Sequence, residues 1–394
     1  MVFNRGPYIY SIVYNLSASL NVFPVLVGRI NGRNTLCNAT RNGEQVEGVC
    51  LPARECVNAG GVKSGGCSIL GTCCIIEKTC TNVTAVKLSY FVSPRTFQEN
   101  CPLTVKPMNK DVCQLRLDFL EFSIAQPTQP VEESASNKSF QCLHDYFIVG
   151  SRGNLGFKHL CGENAKQHIY IPVTDRKDVV LHFGLARERN SNVQLVTPRW
   201  KIKIRQLECA RYQATDLNHI QSSLTSMHQQ HHHHHRPNYN SDYELIAPDD
   251  CLQYYPKETG KYETFNYNAG YGPYIGMTKY AICFRKRPNY CGIRHTAESF
   301  TMSYNVNNTI IYCHPQEEAS ENTSQDSLQI PGALFNSTRT DYFCDSQLNS
   351  SVSVSAYVPG PLQVIVRTDG FRVKERLETG FRVNYELLNA PCPL

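Results

Sequence analysis

The chain has 394 residues, enough at roughly 150 residues per domain for two or three domains with buried cores. Its 39 Lys and Arg against 34 Asp and Glu leave a formal charge of +5 spread over the whole length, which excludes a nucleic-acid footprint and with it nucleic acid as a partner. With 19% charged and 41% hydrophobic residues, and 22 Tyr and 17 Phe against 1 Trp, the balance suits folded β-structure and argues against helical bundles and disorder.

In chain order, Arg5 and the apolar stretch from Tyr8 to Val27 read as a degenerate secretory leader over residues 1–36, interrupted by Asn15, Ser17, Ser19 and Asn21. A membrane span needs about 20 mostly apolar residues, so this stretch makes a poor one, and no other segment comes near that length. The 18 Cys that follow are an even number and more than a reducing compartment usually tolerates, which places the chain in an oxidising, extracellular setting. Structural zinc is the competing reading, but no C-x-x-C spacing accompanies the cysteines. Eight N-x-[ST] sequons point the same way, although about half that number would arise unselected in a chain rich in Asn and Ser. Asn15 falls in the leader; Asn38, Asn82, Asn137, Asn307, Asn322, Asn336 and Asn349 remain as candidate glycan acceptors.

The cysteines fall into three groups of six. Cys37, Cys50, Cys56, Cys67, Cys73 and Cys74 define a knot over residues 37–79, where Gly60, Gly61, Gly65, Gly66 and Gly71 mark turns. So short a segment cannot hold itself together by apolar burial, and adjacent Cys73 and Cys74 must reach different partners. The second group, Cys80, Cys101, Cys113, Cys142, Cys161 and Cys209, sits among alternating strands. So does the third, Cys251, Cys283, Cys291, Cys313, Cys344 and Cys392. In Trp200–Arg205 the apolar Trp200, Ile202 and Ile204 alternate with Lys201, Lys203 and Arg205, the period of a strand with one buried face. Phe381, Val383, Tyr385 and Leu387 repeat that pattern; residues 113–119, 169–173, 352–358 and 362–366 add further strands. The apolar parity switches from Leu115, Leu117 and Phe119 to Leu120, Phe122 and Ile124, which predicts a bulge or a bend between sheets. Many short strands separated by turns predict sandwiches. Between the two sets, residues 210–250 read as a His-, Gln- and Asn-rich linker. Its His231–His235 run is a low-complexity tract or a tag, with weak transition-metal or pH-dependent binding as the other reading.

Residues 80–209 resemble a CUB domain, a two-sheet antiparallel sandwich of extracellular proteins. The resemblance rests on Tyr90-Phe91-Val92-Ser93-Pro94, CQLRLDFLEFSI (113–124), CLHDYFIVGS (142–151), LCGENAKQHIYIPV (160–173) and PRWKIKIRQLEC (198–209). Residues 251–394 resemble a second, more divergent copy through residues 326–332, Phe343-Cys344, Thr368-Asp369 and the closing Gly380-Phe381-Arg382-Val383-Asn384-Tyr385. The knot is similar to that of secreted insect-type CUB proteins. What the resemblance implies is an all-β chain, two CUB-like antiparallel β-sandwiches preceded by a small disulfide-rich knot. It also implies the pairs Cys80–Cys101, Cys142–Cys161, Cys251–Cys283 and Cys313–Cys344, leaving Cys113 for Cys209 and Cys291 for Cys392. Six cysteines in a group allow 15 connectivities, and the pairing within the knot stays open.

The family's site is a calcium cluster at one end of the sandwich, built from a Glu after an early strand, an Asp in C-x-x-D-[YF] and an Asp in a late turn. In the first domain Asp145 matches, but Ala125 and Leu185-Ala186 stand at the other two positions, so Asp145 alone makes no site. In the second domain Asp326 and Asp369 match and no Glu stands near Tyr304–Val306, which makes these two the candidate calcium ligands against the alternative that both cap turns. No cofactor is otherwise implied. His144, His159, His168 and His182 gather in the first domain, where His168 and His182 fall on the less apolar parity and read as solvated. Local signatures of the common hydrolases, metallopeptidases and nucleotide enzymes are missing, so the chain reads as no enzyme. The expectation is a secreted, glycosylated binding protein whose paired sandwiches recognise an extracellular protein or glycan. An accessory role in an extracellular serine-protease cascade is the alternative, prompted by the clip-like knot.

Overall fold

The computed structural model describes residues 35–41, 43–130, 138–150, 156–187, 197–209, 242–287, 290–307, 310–313, 326–335, 337–372 and 377–389. Most of the expected leader, the His231–His235 run, Asn137, Asn322, Asn336 and Cys392 lie outside the described residues. The chain divides into two compact units: one holds the residues up to Glu77 with Val86–Ser89, and the other holds Lys78–Ala85 and everything from Tyr90 onward.

The first unit is the knot. Strands β1 (Leu36–Arg41), β2 (Glu44–Pro52), β3 (Val62–Gly66) and β4 (Gly71–Ile75), with the short helix α1 (Ala53–Asn58) after β2, form an antiparallel sheet in the order β1-β2-β4-β3. Successive strand residues point to opposite faces, so Cys73 bonds to Cys37 and Cys74 to Cys56, while Cys50 bonds to Cys67. The glycines leave room for this sulfur packing: a Cβ on Gly61 would stand 2.3 Å from Cys74 Sγ.

The second unit, with Glu77 and Leu88–Ser89 of the first at two strand ends, contains two sandwiches. The first is built from β5 (Glu77–Lys78), β6 (Val83–Thr84), β7 (Leu88–Val92), β8 (Asn100–Val105), β9 (Val112–Ser123), β10 (Tyr146–Gly150), β11 (His168–Pro172), β12 (Val179–Gly184) and β13 (Arg199–Glu208). One sheet runs β11-β9-β13-β7-β5 and the other β10-β12-β8-β6, with β6 parallel to β8. Trp200, Ile202 and Ile204 point inward from β13, and Trp200 stacks on Phe183 of the facing sheet with ring centroids 3.9 Å apart. The parity switch in β9 is a bulge. Phe119 opposes Ile202 and Glu121 opposes Lys201, which leaves Leu120 unpaired and 45% exposed while Phe122 and Ile124 return to the core.

The second sandwich comprises β14 (Cys251–Tyr255), β15 (Thr259–Glu263), β16 (Thr278–Phe284), β17 (Gly292–Thr301), the small β18 (Asn305–Asn307) and β19 (Ile310–Tyr312), and then β20 (Ser327–Gln329). The remaining strands are β21 (Ala333–Phe335), β22 (Thr338–Arg339), β23 (Tyr342–Phe343), β24 (Ser353–Tyr357), β25 (Leu362–Thr368) and β26 (Gly380–Leu388). Its sheets run β14-β16-β25-β20-β23 and β15-β26-β17-β24-β21-β22. Matched strand for strand, the first sandwich has the same connectivity. β6-β8-β12-β10 corresponds to β14-β16-β25-β20, each opening with a parallel pair, and β7-β13-β9-β11 corresponds to β15-β26-β17-β24. Even the bulge recurs, at Glu298 of β17 opposite Arg382 and Val383. The structure contains Cys80–Cys101, Cys113–Cys209 and Cys142–Cys161 in the first sandwich, and Cys251–Cys283 and Cys313–Cys344 in the second.

Two expectations need correction here. The stretch 210–250 is not a linker throughout, because Asp242 is fully buried against β13: its carboxylate accepts hydrogen bonds from Arg205 Nη2 at 3.1 Å and from Glu208 N at 3.2 Å. Ala247 exchanges two hydrogen bonds with the Gln114 amide. Asp242 is thus held on the first sandwich, so the length of chain between Cys209 and Asp242 does not set the spacing of the sandwiches. His168 is the second correction. It is buried, not solvated, because the edge strand β11 is covered by β14, and His168 Nε2 accepts the Tyr254 N–H at 3.0 Å.

That contact belongs to a broad polar and apolar seam. Gln167 donates to Thr264 O at 3.0 Å, Asn266 Oδ1 accepts from Glu163 N at 2.8 Å, and Asn266 N donates to Asn164 Oδ1 at 2.9 Å. Phe157 meets Phe265 edge-on, and one apolar cluster runs through both sandwiches. Gly162 is required at the seam, since its φ is +81° and a Cβ there would stand 2.0 Å from Asn266 Oδ1. Gly162→Ala is expected to cost about 2 kcal/mol. Scanning calorimetry should then show the melting of the sandwiches lowered; an unshifted melting temperature would count against this seam.

Candidate functional site

Both sandwiches carry a buried aspartate at the same end, placed by the residue that precedes an inner-sheet strand: Asp145 before β10 and Asp326 before β20. In the first sandwich the three positions expected to build a calcium cluster do converge, but without a cation's geometry. Asp145 Oδ2 accepts the Ala125 N–H and Oδ1 accepts the Ala186 N–H, each at 3.0 Å. Two amides fill the role of a cation and the alanines add no side-chain oxygen, so this end does not fit calcium.

The second sandwich repeats one half of the arrangement and changes the other. Asp326 Oδ1 accepts the Asp369 N–H at 2.6 Å, the counterpart of the Ala186 bond. Its Oδ2 instead accepts the Tyr274 hydroxyl, which takes a hydrogen bond from Ser303 N at 3.0 Å and lies 3.2 Å from Glu378 Oε2. A single phenolic proton thus faces two carboxylates, and it can bond only one of them at a time. Burial pushes Asp326 well above the usual carboxylate range, and the negative charges of Asp369 and Glu378 push it further. The Tyr274 hydroxyl is raised in turn by burial and by Asp326 and Glu378. Asp369 also receives the Phe371 N–H on Oδ1 at 2.8 Å, the turn-capping role. The residue types supply hard oxygens and an excess of negative charge, which suits calcium. Among the described residues, however, no group of three or more His, Cys, Asp or Glu is already placed to hold a metal ion.

Sequence reasoning missed Tyr274 and Glu378. They lie 52 residues before and 52 after Asp326, in loops with no recognisable spacing, and only the sandwich closure brings them together.

Around these buried groups the loop from Asn266 to Met277 is strained, with Asn266, Tyr267, Tyr274 and Ile275 buried and Asn268, Ala269, Tyr271 and Met277 exposed. Asn266, Asn268, Ala269, Gly270 and Met277 all have positive φ, four of them without glycine's freedom. Tyr271 is 80% exposed, Met277 66% and Leu377 58%. Residues 138–140 of the first sandwich pack on the same end.

The four histidines do not form a site. His159 stacks on Tyr146 at 4.6 Å and His182 meets the same ring edge-on at 6.1 Å, both held below the ordinary imidazole range chiefly by burial, while His168 belongs to the seam. Of the sequons, Asn38, Asn82 and Asn349 are exposed, and Asn307 ends β18.

Residues 248–388, which span the second sandwich, match the family model of the animal CUB domain. No curated protein matches the chain. Among solved structures, the CUB1-EGF-CUB2 domains of rat MASP-1 align at 11% identity and a TM-score of 0.22, covering 77% of this chain and 99% of that one. The corresponding human MASP-1/3 structure aligns with the same identity and score, over 77% of this chain and 100% of that one. No helix among the described residues is long and apolar enough to cross a membrane.

Proposed function

We propose that the chain is a secreted, glycosylated, non-enzymatic binding protein in which residues 80–209 form a second CUB-like domain beside the matched one, after a knot at 37–79. The shared strand order, parallel opening pair and bulge support the second copy. Recognition of an extracellular protein or glycan takes place at the loop end of the second sandwich. The observation that carries this reading is the strained 266–277 loop, which holds Tyr271 and Met277 in solvent beside a buried carboxylate cluster. Exposed aromatic and Met side chains on a braced loop are the usual anchors of an interface. Asp326, Asp369 and Glu378, with the Tyr274 hydroxyl, are the residues that would hold calcium there. The ion would supply a positive charge that fixes the loop. An alternative role in a serine-protease cascade is supported only by the presence of the knot.

The test is binding of purified secreted protein to extracellular matrix and cell surfaces, comparing wild type with Tyr271→Ala/Met277→Ala. A loss of about tenfold is expected. Undiminished binding by the double variant would place recognition elsewhere.

A further inference from the structure

Residues 138–140 of the first sandwich lie on the loop end of the second as a short ligand would. Lys138 makes an antiparallel bridge to Phe371, and its ammonium stands 4.7 Å from the centre of the Phe371 ring. Ser139 N donates to Gly370 O at 2.9 Å, and Gly276 N donates to Phe140 O at 2.9 Å. The Phe140 ring then lies 5.0 Å from the Arg372 guanidinium. Two cation–aromatic pairs therefore run in opposite senses across three residues, the segment giving first the cation and then the ring. Between them Ser139 is only 3% exposed, in a notch that exists because residue 276 has no side chain: a Cβ there would stand 2.0 Å from Ser139 Oγ. The receiving turn is also the one that serves the carboxylates, since Asp369 bonds Asp326 through its N–H and accepts from Met277 N through its carbonyl.

We propose that this surface is a recognition groove for an extended peptide with a cationic, a small and an aromatic residue in succession, and that Lys138–Phe140 fills it as a built-in ligand which a partner's segment displaces. The inference rests on the loop end being the binding end and adds the chemistry of what binds. Backbone hydrogen bonds on both sides fix an extended strand, the Gly276 notch admits only a small central residue, and Phe371 and Arg372 select the flanks. The tethered segment competes at high effective concentration, which weakens any free ligand until it is released.

The probe is a fluorescent peptide copying residues 138–141. Full-length secreted Lys138→Ala/Phe140→Ala protein loosens the tethered segment without altering the side chains of the groove, and should bind the probe at least about tenfold more tightly than wild type. Adding Gly276→Ala should abolish that binding, as should replacing Lys and Phe in the probe by Ala. Equal binding by wild type and the double variant, or none by a double variant with a native melting temperature, overturns the proposal. If the double variant is not secreted, hydrogen exchange on wild type decides: saturating probe should speed exchange at the Ser139 amide while the Gly276 amide stays protected, and unchanged Ser139 exchange overturns it. A chain that takes up the probe yet binds no matrix or cell surface would sink the binding-end reading alone. One whose partner binding ignores the probe would sink the groove alone.

Discussion

Taking the protein from pH 7 to pH 5 is expected to remove about 4 kcal/mol of stability from the paired sandwiches, shared between two buried imidazoles. His168 and His295 are each fully buried and each held down to about 3 from an ordinary value of 6.5, chiefly by burial. The unfolded chain therefore takes up protons on these rings between pH 6.5 and 3 while the folded chain does not. Their contribution is complete above pH 6.5 and is lost as pH falls, at about 1.4 kcal/mol per unit for each ring. The surroundings of His168 offer the charged form little relief. Arg116 on β9 opposes a proton, Asp118 on the same strand favours one, and the Tyr254 N–H needs the ring nitrogen as an acceptor. Around His295 stand Tyr262, hydrogen-bonded to Nδ1 at 3.0 Å, and the Phe284 ring, neither able to balance a charge. His168→Gln keeps an acceptor for Tyr254 and should halve the loss between pH 7 and 5 in urea titrations. A His168→Gln protein with the wild-type pH dependence would show that the ring is not its source.

That His168 carries such weight could not be read from its strand. Alternation in β11 reports which residues face the sandwich's own core, and by that measure His168 is on the outer side; the covering strand β14 begins 83 residues further on. The same limit explains Asp242, which sits at the end of a low-complexity stretch and gives no local sign of the Arg205 pocket that buries it. Where a feature is local, the reading was direct. The Trp200, Ile202 and Ile204 face and the bulge at Leu120 follow from side-chain parity alone, because a pleated strand has only two faces. The aspartates lie between these extremes. A family resemblance pointed to Asp145, Ala125 and Ala186 as neighbours, and the amide bonds to Asp145 join the three. Tyr274 and Glu378, which make the second end electrostatically different from the first, come from loops that only the closed fold brings together.

That difference leads to the other large effect: in chelator at pH 7, Asp326→Asn is expected to raise the melting temperature, by roughly 3 °C for each kcal/mol gained. Asp326 is 1% exposed and its proton affinity is raised in the folded state, so the folded chain holds its proton to higher pH than the unfolded chain does. The sign is the reverse of the histidines: stability from this group is greatest at low pH and is lost as pH rises from the ordinary 3.8 through the raised folded value. Above the ordinary 3.8 this buried carboxyl is thus a net cost, whether the folded chain ionises it or holds its proton. An asparagine removes it while keeping the bonds. Its oxygen can accept the Asp369 N–H, and its amide can donate to the Tyr274 oxygen, which frees the phenolic proton for Glu378 at 3.2 Å. Millimolar calcium should raise the wild-type melting temperature by mass action and leave Asp326→Asn unmoved, since the variant lacks the charge that draws the ion. The two halves can fail separately. A variant stabilised in chelator beside a wild type indifferent to calcium would make the cluster a proton site, whereas a destabilised variant would mean that the ionised carboxylate itself braces the 369–372 turn.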